Sequence, residues 1–180
     1  MAEEIKLTGA ERRKQLLIWL KESQTPLTGS ELAKKSAVSR QVIVQDISLL
    51  KAKNEPIIAT SQGYLYLHSQ TSEKQPVTRI IACEHGPERA EEELNLIVDF
   101  GVTVKDVIIE HPVYGDLTAS IRVSTRKEVS DFIKKISSTN AAYLSQLTNG
   151  THLHTLEAAT DEKIDQACEA LKKANILIPE

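Results

Sequence analysis

Three Thr-x-x-Glu boxes dictate where helices can begin in this 180-residue chain. In Thr8-Gly9-Ala10-Glu11, Thr28-Gly29-Ser30-Glu31 and Thr125-Arg126-Lys127-Glu128 the threonine hydroxyl can accept a first-turn amide. The glutamate reaches back to the threonine amide, so two otherwise orphaned donors are satisfied together. The first box predicts a helix from Gly9 to Glu22 that buries Leu16, Leu17, Trp19 and Leu20, and the second a short helix ending at Lys35. After the turn Ser36-Ala37-Val38, Ser39 can cap a third helix from Arg40 to about Lys51. Ile57 to Thr60 and Tyr64 to Leu67 then read as a hairpin turning at Gln62-Gly63. Three helices and a two-stranded wing make a winged helix-turn-helix over residues 1–68.

The third helix has two faces of different chemistry. Val42, Ile43, Ile47 and Leu50 share one side; Arg40, Gln41, Val44, Gln45 and Ser48 share the other. Arginine and glutamine near a helix start can make bidentate contacts to guanine and adenine in a major groove, and Lys51 or Lys53 is placed for a phosphate. With Ser39, these are the candidate DNA contacts. Asp46 falls in the buried arc, where it would repel phosphate if it faced DNA, so it is expected to pair with Arg12, Arg13 or a helix-terminal amide. The run Ser39 to Ile47 resembles the second and third helices of biotin-repressor-type winged-helix domains.

Residues 69–76 are polar, lack periodicity and end in Pro76, which reads as a linker; His68 at the end of the wing is given no role. From Val77 the pattern changes. Val77 to Cys83 is a strand, and Gly86-Pro87 opens a helix that ends near Gly101. Val102 to Glu110 and Leu117 to Val123 are strands joined by the turn at 111–116. The third box starts a helix burying Val129, Phe132, Ile133 and Ile136, and a strand around His152 precedes a last helix from Thr160 to about Ala174. The order βαββαβα over 77–180 predicts an α+β open-faced sandwich, ferredoxin-like or phosphocarrier-like, with helices on one face of a mainly antiparallel sheet.

Chemistry concentrates in this second half. In Thr151-His152-Leu153-His154 the two histidines leave one face of a strand while Leu153 leaves the other. In the helix after His85-Gly86-Pro87, Ala90, Leu94, Leu96, Ile97, Val98 and Phe100 form an apolar arc, and Glu93 lies inside it. An unpaired carboxylate there is costly to desolvate and needs a cation or strong donors. His85, Glu93, His152 and His154 are therefore the expected ligands of one divalent transition metal per chain. Such a donor set suits Zn, Ni, Co or Fe, zinc and nickel first, and not the oxygen-preferring Ca or Mg.

Composition narrows the setting. No run of about 18 apolar residues offers a membrane span. The start Met1-Ala2-Glu3-Glu4-Ile5-Lys6 lacks the build of a secretory signal, so a cytoplasmic protein is expected. Cys83 and Cys168 are too few for a disulfide framework and are expected to be reduced core residues. Residues 1–69 carry 10 Lys+Arg against 7 Asp+Glu, whereas 70–180 carry 12 against 18. A basic front and an acidic rear suit a DNA-contacting module joined to a sensing module.

Cys83-Glu84-His85-Gly86, the position of Glu93, His111-Pro112-Val113-Tyr114-Gly115 and the run Leu147 to Thr155 together resemble the three-histidine domain found behind a winged helix in niacin-responsive transcriptional repressors of Gram-positive bacteria. The resemblance spans the chain. It implies a repressor of niacin-uptake and NAD-synthesis genes with nicotinic acid as corepressor, and it carries the metal ligands onto the same four residues. His111 also matches, either orienting a ligand or lining the effector pocket. If the pyridine nitrogen takes an open metal position, the effector carboxylate points to donors among Arg79, Arg122, Tyr114 and Thr151. A homodimer on operator DNA is expected, since paired recognition helices read two half-sites. Two other readings share these residues: a metal hydrolase with Glu93 or His111 as base, and a regulator that senses the metal alone. The hydrolase lacks a second inward carboxylate and leaves the winged helix without a purpose.

Overall fold

In the computed structural model, which describes residues 7–68 and 76–179, all three Thr-x-x-Glu boxes start helices with both reciprocal hydrogen bonds made. The chain divides into two compact units, Met1–Thr71 and Ser72–Glu180. Apart from Pro76, the expected linker lies outside the described residues. Among the described residues no helix is long and apolar enough to cross a membrane.

In the first unit α1 (Gly9–Glu22), α2 (Gly29–Lys35) and α3 (Arg40–Ala52) pack with the hairpin β1 (Ile57–Thr60) and β2 (Gly63–Tyr66) around Leu16, Leu20, Leu32, Ile43, Ile47 and Ile57. Leu17 and Trp19 are partly buried against this core. The wing turns at Ser61-Gln62, one residue earlier than expected, because Gly63 is the first residue of β2, paired with Thr60. Gly63 has φ +137°, and a Cβ there would lie 2.6 Å from the Leu27 carbonyl oxygen. The glycine therefore lets β2 close against Leu27, which exchanges backbone hydrogen bonds of 2.8 and 2.9 Å with Tyr64.

The second unit runs β3 (Val77–Glu84), a 3-10 turn (Pro87–Arg89), α4 (Ala90–Val98), β4 (Thr103–His111), β5 (Gly115–Val123), α5 (Arg126–Thr139), a second 3-10 segment (Leu144–Thr148), β6 (Thr151–Ala158) and α6 (Asp161–Lys173). The four strands form one antiparallel sheet in the order β3-β6-β4-β5. The first strand is thus at an edge beside the last, which selects the phosphocarrier-like alternative; a ferredoxin-like sheet places its first strand inside. The helices cover one face, where Leu94 and Ile97 of α4, Val129 of α5 and Ile164 and Leu171 of α6 pack on Ile81, Val104, Ile121 and Leu156. The opposite face is open, and Ile80 on it is 59% exposed. After α6 the chain returns along β3: the Glu84 amide donates to Ile176 and the Ile178 amide to Ala82, covering an edge that would otherwise expose unpaired backbone groups.

The ladder between β4 and β6 is irregular at one place. Between the pairs Val104↔Leu156 and Ile108↔Leu153, β4 carries three residues and β6 two, a β-bulge that includes Asp106.

Candidate metal centre and DNA-facing helix

The register of β3 on β6 sets Cys83 opposite His152 and Ile81 opposite His154, so both histidines face the helical layer. His85 follows the end of β3, and Glu93 comes down from α4. His85, Glu93, His152 and His154 are all buried. Each imidazole directs Nε2 at the Glu93 carboxylate, at 2.7 Å for His85, 3.1 Å for His152 and 3.3 Å for His154. This convergence depends on the first and last strands of the unit being neighbours, as β3 and β6 are.

The other ring nitrogens decide what these histidines can offer. Nδ1 of His85 lies 2.8 Å from the Gly86 carbonyl, that of His152 2.8 Å from the Gly150 carbonyl, and that of His154 2.6 Å from the Asp106 carbonyl. A carbonyl only accepts, so each Nδ1 carries a proton and a neutral ring presents a bare lone pair at Nε2. Three lone pairs then converge on a carboxylate that has no proton to give. The arrangement calls for a cation at its centre.

Without an ion, protons on the imidazoles take its place. Burial pushes the Glu93 carboxyl upward, yet the charge of His154 and the imidazoles of His152 and His85 outweigh it and hold the group well below the usual carboxylate range. Burial depresses His85 and His154, but Glu93 overcomes it and both are raised. His154 Nε2, although near Glu93, makes no aligned hydrogen bond and is an orphaned buried nitrogen. Three imidazole nitrogens and one carboxylate, with the second ring nitrogens tied to backbone carbonyls, fit a divalent transition ion.

Two backbone features hold the imidazoles in place. Gly150 has φ +102°, and a Cβ there would lie 2.5 Å from the His85 carbonyl oxygen. Its carbonyl receives both the His85 amide and His152 Nδ1. At the β4 bulge the Asp106 carboxylate accepts the Thr155 amide at 2.9 Å, leaving its carbonyl for His154. Sequence reasoning passed over Asp106, because nothing in its neighbours announces a bulge.

Above the centre lies a cavity of about 200 Å³. His85, Glu93, His152 and His154 line one end; Val107, Ala119, Phe132, Ile136, Tyr143 and Ser145 line much of the rest. None of the five residues expected at the effector is among those lining it. Arg79 is bound to Asp165 at 2.6 Å and to Asp161 at 3.0 Å on α6. Tyr114 is 75% exposed at the β4–β5 turn, and His111 beside it accepts the Val113 and Tyr114 amides on Nδ1. Arg122 sits on β5 with φ +49°. Thr151 is exposed, and its carbonyl accepts the Thr148 hydroxyl. Phe132 packs against the core as expected, yet it and Ile136, one helical turn apart, also line this cavity, a role that periodicity does not distinguish from core.

On the first unit, Ser39, Arg40, Gln41, Gln45, Ser48 and Lys51 are exposed and Val44 is half-buried. The Ser48 hydroxyl donates to the Val44 carbonyl at 2.8 Å, which commits its proton within the helix. Asp46 is buried on the other face, 2.5 Å from Arg12 and 3.0 Å from Arg13. It pairs with α1, as expected.

Comparison with known proteins matches residues 12–65 to an HTH domain and 78–180 to a 3H domain. The chain is 74% identical over 178 residues to "Transcription repressor NadR" of Bacillus subtilis (strain 168), covering 99% of each protein. It is 39% identical over 176 residues to "Probable transcription repressor NiaR" of Thermotoga maritima, covering 98% of each. The chain belongs to this 3H-domain repressor family. Both relatives are named repressors and not enzymes, which removes the hydrolase alternative. In this 3H-domain repressor, α3 lies within the HTH domain, and the histidine–glutamate cluster lies wholly inside the 3H domain.

Proposed function

We propose that this protein is a homodimeric, cytoplasmic repressor of niacin-uptake and NAD-synthesis genes that binds operator DNA through α3 and takes nicotinic acid as corepressor beside a divalent transition metal. The observation that carries the proposal is the convergence of three Nδ1-locked imidazoles on one buried carboxylate at the end of an apolar cavity. His85, Glu93, His152 and His154 would hold the ion. Bound there, it would supply an open coordination position.

The cavity suits a small aromatic acid. Its volume is below the roughly 300–1,000 Å³ of pockets for drug-sized ligands. Phe132 and Ile136 of α5 and Val107 and Ala119 of the sheet give it apolar walls, as an aromatic ring requires. No lysine or arginine is among the lining residues, so Tyr143 and Ser145 replace Arg79, Arg122, Tyr114 and Thr151 as the donors proposed for the carboxylate. A regulator that senses the metal alone would have no use for this space.

Linkage provides the test. If nicotinic acid raises operator affinity, operator must raise nicotinic acid affinity by the same factor, typically about 5 to 150-fold. Titrating nicotinic acid into the protein with and without operator should show that gain, and metal-stripped protein should lose effector binding. Equal affinities with and without operator would end the corepressor reading, and unchanged binding after stripping would separate effector from metal.

Asp106 provides a further check. Asp106→Ala, which leaves the Thr155 amide unpaired and frees the bulge, is expected to weaken metal binding about 10 to 100-fold in competition with a chromophoric chelator. Asp106→Asn keeps an acceptor oxygen and should stay near wild type. Equal affinities for wild type and Asp106→Ala would mean that the carbonyl is held without help from its side chain.

A further inference from the structure

We infer that Cys83 is an additional ligand of this centre, its Sγ reaching the ion from the sheet side, away from the cavity. The inference rests on the reading of the cluster as a metal site. Cys83 stands on the inner face of β3, two residues before His85 and directly across the ladder from His152. Its Sγ, a carboxylate oxygen of Glu93 and a ring nitrogen of His152 all lie within 4.8 Å of one another. Three elements, β3, α4 and β6, thus bring three different donors to one point. Two donors bound to one ion at about 2.0–2.3 Å each can stand no more than roughly 4.5 Å apart, so a small closure from this spacing brings all three onto one ion.

Direction and charge support the assignment. The effector cavity is lined by the three histidines and Glu93 but not by Cys83, so the thiol approaches without occupying space that a ligand would use. Three neutral imidazoles and one carboxylate around a divalent ion leave one uncompensated positive charge. That charge would sit among groups that are at most 8% exposed, where an unpaired charge is expensive. A thiolate cancels it. On loading, the Cys83 S–H bond breaks, the proton leaves to solvent and the Sγ–metal bond forms, with no change of oxidation state. A sulfur donor also sharpens the preference of the site for zinc and other thiophilic ions over manganese.

Cobalt(II) makes the ligand visible. Full-length protein loaded with cobalt(II) should show visible d–d bands together with an intense near-ultraviolet sulfur-to-cobalt charge-transfer band. Cys168→Ser should keep that band and Cys83→Ser should lose it while retaining the d–d bands. A wild-type spectrum with d–d bands alone, or a charge-transfer band that survives Cys83→Ser, overturns the inference and leaves the histidine–glutamate centre standing. Failure to retain any cobalt would instead remove the centre itself. Should Cys83→Ser not fold, X-ray absorption on zinc-loaded Cys168→Ser decides, since Cys83 is then the remaining cysteine of the chain's two. A sulfur neighbour supports the assignment, and a shell of nitrogen and oxygen alone overturns it.

Discussion

Protein carrying His152→Ala and His154→Ala together is expected to purify with its metal content reduced to background while the helical and strand content of both units persists. Two of the three imidazoles then vanish from one strand, and His85, 2.7 Å from Glu93, is the one imidazole left at the centre. The fold should survive because the β3–β6 ladder is made by backbone groups, and Leu156 and Ala158 still anchor β6 in the core. Elemental analysis beside circular dichroism reads both halves of the result. Full metal occupancy in a folded double variant would refute the assignment of ligands.

The second large effect concerns the other unit. Asp46→Ala is expected to lower its stability by about 3–5 kcal/mol, the usual cost of removing one partner of a buried ion pair, because Arg12 and Arg13 are left without their counter-charge. The side chains of Asp46 and Arg12 are only 4% and 13% exposed, so solvent cannot take over that role. Asp46→Asn, which still accepts hydrogen bonds, should cost less. Because the pairs tie α1 to the inner face of α3, Asp46→Ala should also weaken operator binding although Asp46 faces away from DNA. A urea midpoint within experimental error of wild type would show that the two arginines are satisfied elsewhere.

What was legible in the sequence was whatever a local rule enforces. A Thr-x-x-Glu box works within four residues, and all three were found where expected. Glu93 stood out because a carboxylate on an apolar helix arc contradicts the pattern around it, and the two histidines of β6 because alternate residues share a strand face. Asp46 was readable for the same reason as Glu93. What remained hidden depends on register between distant segments. The β4 bulge that turns the Asp106 carbonyl to His154, the opposition of Cys83 and His152, and the meeting of α5 with Val107 and Ala119 arise only once the strand order is known. Choosing Arg79 and Arg122 for an anionic ligand followed charge alone, and Arg79 is neutralised by α6. The wing turn shifted by one residue because Gly63 answers to Leu27, a partner well outside the local window.

The pairing of β3 with β6 has a topological consequence. His85 and His152 are 67 positions apart, and a helix, two strands and a second helix lie between them. An ion gripping both would act as a reversible cross-link across that span, restricting the unfolded chain much as a disulfide closing the same loop would, by about 4 kcal/mol on chain-entropy grounds. Unlike a disulfide, it could form in a reducing compartment and be withdrawn by a chelator. The metal supply of the cell would then set not only whether the effector is sensed but how long each copy of the repressor stays folded.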